Sequence, residues 1–317
     1  MKVITCFSYK GGAGRTTAAG NIATALASTS LNGNQPPRNV ALMDLDVFSA
    51  GVHRVFEISN KEIRDHYPCV EDYLRDQMAP RKYVEQGGLT LKDKLLDRFY
   101  KEKGVKESCN PTFTLFPSKA DPTTKFVVQK QHENILLELL LELESPRYNF
   151  DYVVLDGESG TRSMADIALR LADVILIFFR LTWQHIDGSV NTAREWEKSI
   201  TKPFHLVPTC VPLVGKGGNV YLEDAPGFDR LRDLTELIPE ISELNSFTRD
   251  HPNGAGLFWQ DGAGANRICV HESLLLKGEE RVIVFDPEMR KDFAVKDFYA
   301  IASKLDGKYG PTAEKNQ

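Results

Sequence analysis

Eight consecutive residues, Lys10-Gly11-Gly12-Ala13-Gly14-Arg15-Thr16-Thr17, set glycines, cations and hydroxyls at a spacing that suits phosphate binding. In a phosphate loop ending Gly-Lys-Ser/Thr, backbone N–H groups cradle the phosphates, the lysine reaches the β and γ oxygens, and the hydroxyl binds Mg²⁺. Gly14 and Thr16 keep those places here, Arg15 stands where the lysine belongs, and an additional lysine, Lys10, opens the loop. Arginine retains the charge and grips phosphate oxygens by two bonds, but it is bulkier and planar, so the exchange is not conservative. Taken alone, the segment could equally be a Gly-rich turn carrying stray basic residues. Acids further along the chain weigh against that plainer reading: Asp44 and Asp46 follow one apolar run, and Asp156 follows another.

Such residues need a scaffold. Val3 to Phe7 reads as a buried strand, and Thr16 to Ser28 as an Ala-rich helix whose N-terminus points at the phosphates. Asn39 to Met43 reads as a second strand ending in Asp44-Leu45-Asp46, and Tyr152 to Leu155 as another ending in Asp156-Gly157-Glu158-Ser159-Gly160. In an open parallel sheet the ligand sits at the carboxyl ends of the strands, where an acid can meet Mg²⁺ or a water. One such Asp would be an ordinary helix cap. Three strand ends carrying phosphate or metal chemistry point instead to a nucleoside-triphosphate site. The fold class expected is α/β, a doubly wound and mostly parallel sheet flanked by helices.

The loop resembles the deviant Walker A of the ParA/MinD family of P-loop ATPases, Lys-Gly-Gly-x-Gly-Lys-Thr-Thr, in a branch with arginine for the second lysine. Asp44-Leu45-Asp46 is similar to the family's switch I, and Asp151 to Asp156 to the strand leading into switch II. Ala172 to Ile177 with Gly188 is similar to the next strand and helix, and Arg281 to Pro287 with the helix through Tyr299 to the last elements. The resemblance implies ATP and Mg²⁺ as cofactors and an ATP-sandwich homodimer in which Lys10 contacts the partner's phosphates. It implies nucleotide binding by Lys10, Gly11, Gly12, Ala13, Gly14, Arg15, Thr16 and Thr17, with catalysis by Lys10, Arg15 and Asp46. The metal set it implies is Thr16, Asp46 and Asp156, with Asp46 also positioning the attacking water. The family's adenine-reading asparagine is absent after Phe204 to Val207, where Pro208-Thr209 stands.

The remaining sequence bounds the rest. With 317 residues, 42% hydrophobic and 26% charged, the chain can bury a sizeable core. We expect one P-loop domain over 1–308, with a poorly matched helical segment at about 51–125 and a disordered tail at 309–317. A net charge of −5 argues against wholesale nucleic-acid coating without excluding a local basic patch that binds DNA non-specifically. Five scattered cysteines, with no Cys-x-x-Cys, read as inert thiols of a reducing bacterial cytoplasm and speak against an iron–sulfur reductase. With a first strand expected from Val3, no signal peptide is expected, and no apolar run is long enough for membrane insertion. The sequence leaves two functions: an ATPase switch acting on a protein partner, or a nucleotide-gated scaffold with negligible turnover.

Several local expectations complete the reading. Helices are expected at Arg64 to Met78, Leu89 to Lys106 and Thr123 to Leu143, and strands at Phe113 to Pro117 and Arg267 to Val270. Ile135-Leu136-Leu137 and Leu139-Leu140-Leu141 are expected to form a core face or, as the sharper alternative, a dimer seam. Val214 to Asn219 reads as a surface loop, not a second phosphate loop, and Phe258-Trp259 as a loop anchor or a partner site. His271 reads as structural.

Overall fold

The computed structural model describes residues 1–28, 37–91, 112–119, 126–160, 163–199, 202–213, 225–227, 229, 268–274, 276, 281–284, 289 and 291–311. The strands among them are β1 (Lys2–Phe7), β2 (Val40–Asp44), β3 (Leu89–Thr90), β4 (Thr114–Phe116), β5 (Tyr152–Asp156), β6 (Val174–Arg180), β7 (Phe204–Val211) and β8 (Val270–His271). They form one sheet in the order β3-β4-β2-β5-β1-β6-β7-β8. Every pairing is parallel except β3 with β4. The inner strands β1, β2 and β5 are near-continuous apolar runs because both faces are covered.

Alternate residues supply the two faces. Ile4, Cys6, Leu42 and Val154 pack with α1 (Arg15–Leu26), while Val3, Ala41, Val153 and Leu155 face a second cluster. The helices α2 (Val52–Val55), α3 (Asn60–His66), α4 (Val70–Asp76) and α5 (Pro80–Gly87) follow β2. Then come α6 (Gln131–Glu144), α7 (Ser163–Leu171), α8 (Trp183–Ser199) and α9 (Phe293–Tyr309). The expected doubly wound class is the observed one.

Three local expectations are corrected. The helix expected at Arg64 to Met78 is two helices, because Pro68 interrupts it and Cys69 restarts the chain as the cap of α4. Leu89 is not a helix start: Leu89–Thr90 pairs antiparallel with β4 at the sheet edge. Gly88 permits this turn out of α5, since a Cβ there would lie 2.8 Å from the Val84 carbonyl; residues 92–106 of the expected helix are outside the described residues. The helix expected from Thr123 starts at Gln131, with Phe126 to Gln129 non-helical. Its Leu136, Leu139, Leu140 and Leu143 are core, whereas Leu137 and Leu141 are exposed. Val214 to Asn219 and Phe258-Trp259 lie outside the described residues.

Candidate functional site

The loop between β1 and α1 owes its shape to two glycines in the left-handed region, Gly12 (φ 81°) and Gly14 (φ 75°). Gly14 caps α1 without a side-chain bond, and the first turn of the helix contains no acid. The first N–H groups of a twelve-residue helix are thus left for a ligand, at the end favourable to negative charge. The loop backs onto the next strand: Gly157 N–H donates to the Cys6 carbonyl and Gly160 N–H to the Ser8 carbonyl at 3.0 Å. From the other side, the Thr209 hydroxyl donates to the Ala13 carbonyl at 2.6 Å. Sequence reasoning treated Thr209 only as a missing asparagine; its part in pinning the loop had no local signal. Asn21 is a second unforeseen fastener, joining α1 to the buried run Val282–Val284 by accepting from Ile283 N–H at 2.8 Å.

The acids converge on this loop. Leu45 N–H donates to the Asp156 carbonyl, so the ends of β2 and β5 are tied side by side. Asp44 is fully buried and structural in its contacts: it accepts from Asp46, Gly51 and Val52 N–H groups at 3.1–3.2 Å. Burial, then Asp156, Asp46 and Glu71, pushes its carboxyl well above the ordinary range. Asp46 Oδ1 accepts from Ser49 N–H at 3.0 Å. Its other oxygen, with Asp156, receives Arg15.

Arg15 donates from Nε to Asp156 Oδ1 at 2.7 Å and from Nη2 to Asp46 Oδ2 at 3.1 Å. Nη2 also lies 3.5 Å from Thr16 Oγ1. Burial opposes this charge, but Asp156 and then Asp46 outweigh it and raise the arginine's pKa. Asp156 is fully buried, and burial raises its carboxyl despite the offset from Arg15 and a Thr16 hydrogen bond. One cation is shared by two acids, with Asp44 a third beside them. Asp156 Oδ2 is buried with no hydrogen-bond partner.

Beside these groups opens a cavity of about 250 Å³, lined by Gly11 to Thr16 of the loop together with Asp46, Ser49 and Ser159. Of the expected nucleotide-binding residues, Thr17 and Lys10 do not line it. Thr17 is buried within α1. Lys10 is exposed, with its amine hydrogen-bonded to Gln184 Oε1 on α8. Gly188 on the same helix accommodates the Tyr9 ring, since a Cβ there would fall 2.0 Å from it. Among the described residues, no group of three or more His, Cys, Asp or Glu could hold a metal ion. The expected metal set of Thr16, Asp46 and Asp156 is a mixed one, one hydroxyl and two carboxylates, gathered around Arg15. These are oxygen donors suited to a hard cation, and the orphaned Asp156 oxygen fits such use. The His271 ring is hydrogen-bonded to Asp297 at 2.9 Å. Cys6, Cys69 and Cys269 are buried, Cys210 is exposed, and Cys109 is outside the described residues. Among the described residues no helix is long and apolar enough to cross a membrane.

A glycine-rich turn from a central parallel strand into an uncapped helix, flanked by acids at two more strand ends, defines the class as a P-loop nucleotide-binding fold. A family model described as an AAA domain matches residues 1–202, and the chain belongs to that family. No curated protein matches the chain in sequence. Among solved structures, it is similar to a Cyanothece McdA variant in complex with ATP, with TM-score 0.59 and 14% identity, covering 97% of this chain and 96% of that one. The MinC:MinD cell division complex of Aquifex aeolicus matches with TM-score 0.58 and 17% identity over 97% and 96% of the two chains. MinD of Pyrococcus horikoshii in complex with Mg-ADP matches with TM-score 0.55 and 14% identity over 96% of both. The fold is thus the ParA/MinD-like P-loop ATPase fold, of the expected doubly wound class.

Proposed function

We propose that the chain is a nucleotide-dependent switch that binds ATP with Mg²⁺, hydrolyses it slowly and cycles between monomer and ATP-sandwich homodimer to position or regulate a partner protein. The observation that carries this reading is the loop itself. Uncapped helix N–H groups open onto a cavity, beside two carboxylates from neighbouring strands. Nucleotides bound by the similar structures, ATP in McdA and Mg-ADP in MinD, support the choice of ligand. The cavity's 250 Å³ is below the roughly 300–1,000 Å³ of a whole-ligand pocket, so it accounts for the polyphosphate end alone.

Phosphoryl transfer asks for positioning and charge neutralisation more than for covalent chemistry. Loop N–H groups from Gly11 to Thr16 hold the β and γ phosphates. Arg15, once turned to them, supplies a two-armed cation. Lys10 stands outside its own cavity, exposed, which suits a role towards the phosphates of a partner chain. Asp46 orients the attacking water. Thr16, Asp46 and Asp156 would hold Mg²⁺, which supplies charge neutralisation of the phosphates. The partner is a protein; DNA, bound without sequence preference and weakened steeply by salt, is the other class. The cytoplasm is the compartment proposed.

A scaffold reading with negligible turnover is favoured by one observation, the engagement of Arg15 by carboxylates. Phosphate release by the pure protein, with and without Lys10→Ala, separates the two. Release that is slow in the wild type and lost in the variant supports the switch; background release with tight ATP binding supports the scaffold. If neither ATP nor ADP binds, the nucleotide reading itself fails.

A further inference from the structure

This inference rests on the nucleotide reading above and concerns the chain before nucleotide arrives. A single guanidinium contacts Asp156 at 2.7 Å and Asp46 at 3.1 Å and lies 3.5 Å from the Thr16 hydroxyl. Those are all three residues of the metal donor set. The arrangement is built: the Arg15 side chain is 7% exposed, and its acids come from the ends of two different strands locked in register, Asp44 opposite Asp156. A planar fork meets the two carboxylates by separate arms in a fixed geometry. A divalent ion on the same oxygens would meet a positive charge at contact distance in a poorly solvated site, so the two cations exclude one another.

We propose that Arg15 is a resident cation filling the metal position of the free chain, released only when nucleotide phosphates draw it to the loop, so that nucleotide binds first and Mg²⁺ second. The exchange keeps every group paired. Arg15 trades two carboxylate bonds for phosphate bonds of the same charge-assisted kind, across a cavity that its own side chain lines. Asp46 and Asp156 are left with the ion, and the orphaned Asp156 Oδ2 gains a use. Without phosphates, Mg²⁺ would have to evict a buried guanidinium that has no anion to receive it. Arg15 thereby makes metal loading conditional on nucleotide.

The probe is Mn²⁺ added to the full chain without nucleotide, read by electron paramagnetic resonance, with melting in Mg²⁺ as a second reading. Wild type should leave Mn²⁺ essentially free, and its melting midpoint should not respond to Mg²⁺. Arg15→Ala should bind Mn²⁺ at least about tenfold more tightly and melt higher in Mg²⁺, as a ligand of the folded state requires. Mn²⁺ taken up equally by both proteins, or by neither, overturns the inference. Should Arg15→Ala not fold, ADP titrations of the wild type decide: affinity in chelator within about threefold of that in Mg²⁺ supports nucleotide-first binding, and ADP bound only with Mg²⁺ overturns it. ADP bound under either condition leaves the nucleotide reading standing, so the two ideas fail separately.

Discussion

Among the described residues, two arginine–aspartate pairs stand one near each end of β5, that of Arg15 buried and that of Arg38 partly buried, and they are built differently. At the start of the strand, Arg38 meets Asp306 of α9 by two parallel bonds of 2.8 Å, and Tyr152 completes the carboxylate with a third. One cation faces one anion. At the end of the strand, Arg15 is divided between Asp46 and Asp156, an oxygen is left over, and a cavity lies alongside. The first arrangement is closed and holds α9 to the sheet. The second has surplus negative charge and a place for another group to enter. Both are ion pairs withdrawn from full solvent exposure, yet only the incomplete one has an oxygen left without a partner.

The largest effect should come from opening the closed pair. Asp306→Ala leaves Arg38 and the Tyr152 hydroxyl without their carboxylate and should cost about 3–5 kcal/mol in urea denaturation. Nucleotide affinity per folded molecule should stay unchanged; a matching loss of affinity would erase the distinction between the two pairs. Arg15→Ala comes next. By removing a desolvated cation it should weaken triphosphate binding by about 2–4 kcal/mol in calorimetry. Wild-type affinity in that variant would mean that Arg15 belongs with Arg38, as structure alone. Thr209→Val keeps the shape but strands the Ala13 carbonyl, and should cost about 1 kcal/mol of nucleotide binding with faster amide exchange in the loop. An unchanged exchange rate there would show that the loop holds itself.

The smallest effect is one of pH, away from both pairs. Burial lowers the pKa of His53, His132 and His185 below the ordinary histidine value. The unfolded chain therefore takes protons first as pH falls, so their stabilisation is full above about pH 6.5 and is lost on acidification through the lowered folded values. Asp44 and Asp156, raised by burial, act in the opposite sense and mask part of the slope. His132 accepts from Gln129 N–H through Nδ1. His132→Asn keeps an acceptor and removes the proton, so it should flatten the pH dependence of the melting midpoint by about 1–2 °C. An identical slope in wild type and variant would clear His132 of any part.

What could be read from the chain beforehand depended on how local the cause was. The phosphate loop, the strands ending at Asp44 and Asp156, and the helix behind Arg15 are written in contiguous residues, and they stand within a residue or two of expectation. Elements set by a neighbour were not legible. Leu89–Thr90 is a strand because β4 offers an edge, which no property of Leu89 announces. The onset of α6 at Gln131 was likewise missed among the helix-compatible residues before it. At the site, the Thr209 pin joins residues 196 apart in sequence, and Arg15 to Asp156 joins residues 141 apart. The types were visible; the partners were not. A lysine-for-arginine comparison suggested how Arg15 might hold phosphate, and only the fold revealed that acids already hold it.

The position of β1 has a consequence for how the chain is made. β1 lies between β5 and β6, strands that are synthesised long after it. Its edge towards β5 stays unmatched until roughly 150 further residues have been made and its edge towards β6 until roughly 170, about 8–35 s at ordinary elongation rates. The phosphate loop hangs from the end of that strand and takes its footing from Gly157 and Gly160. A nascent chain cannot therefore answer nucleotide until past its midpoint, and fragments ending before β6 should be blind to it.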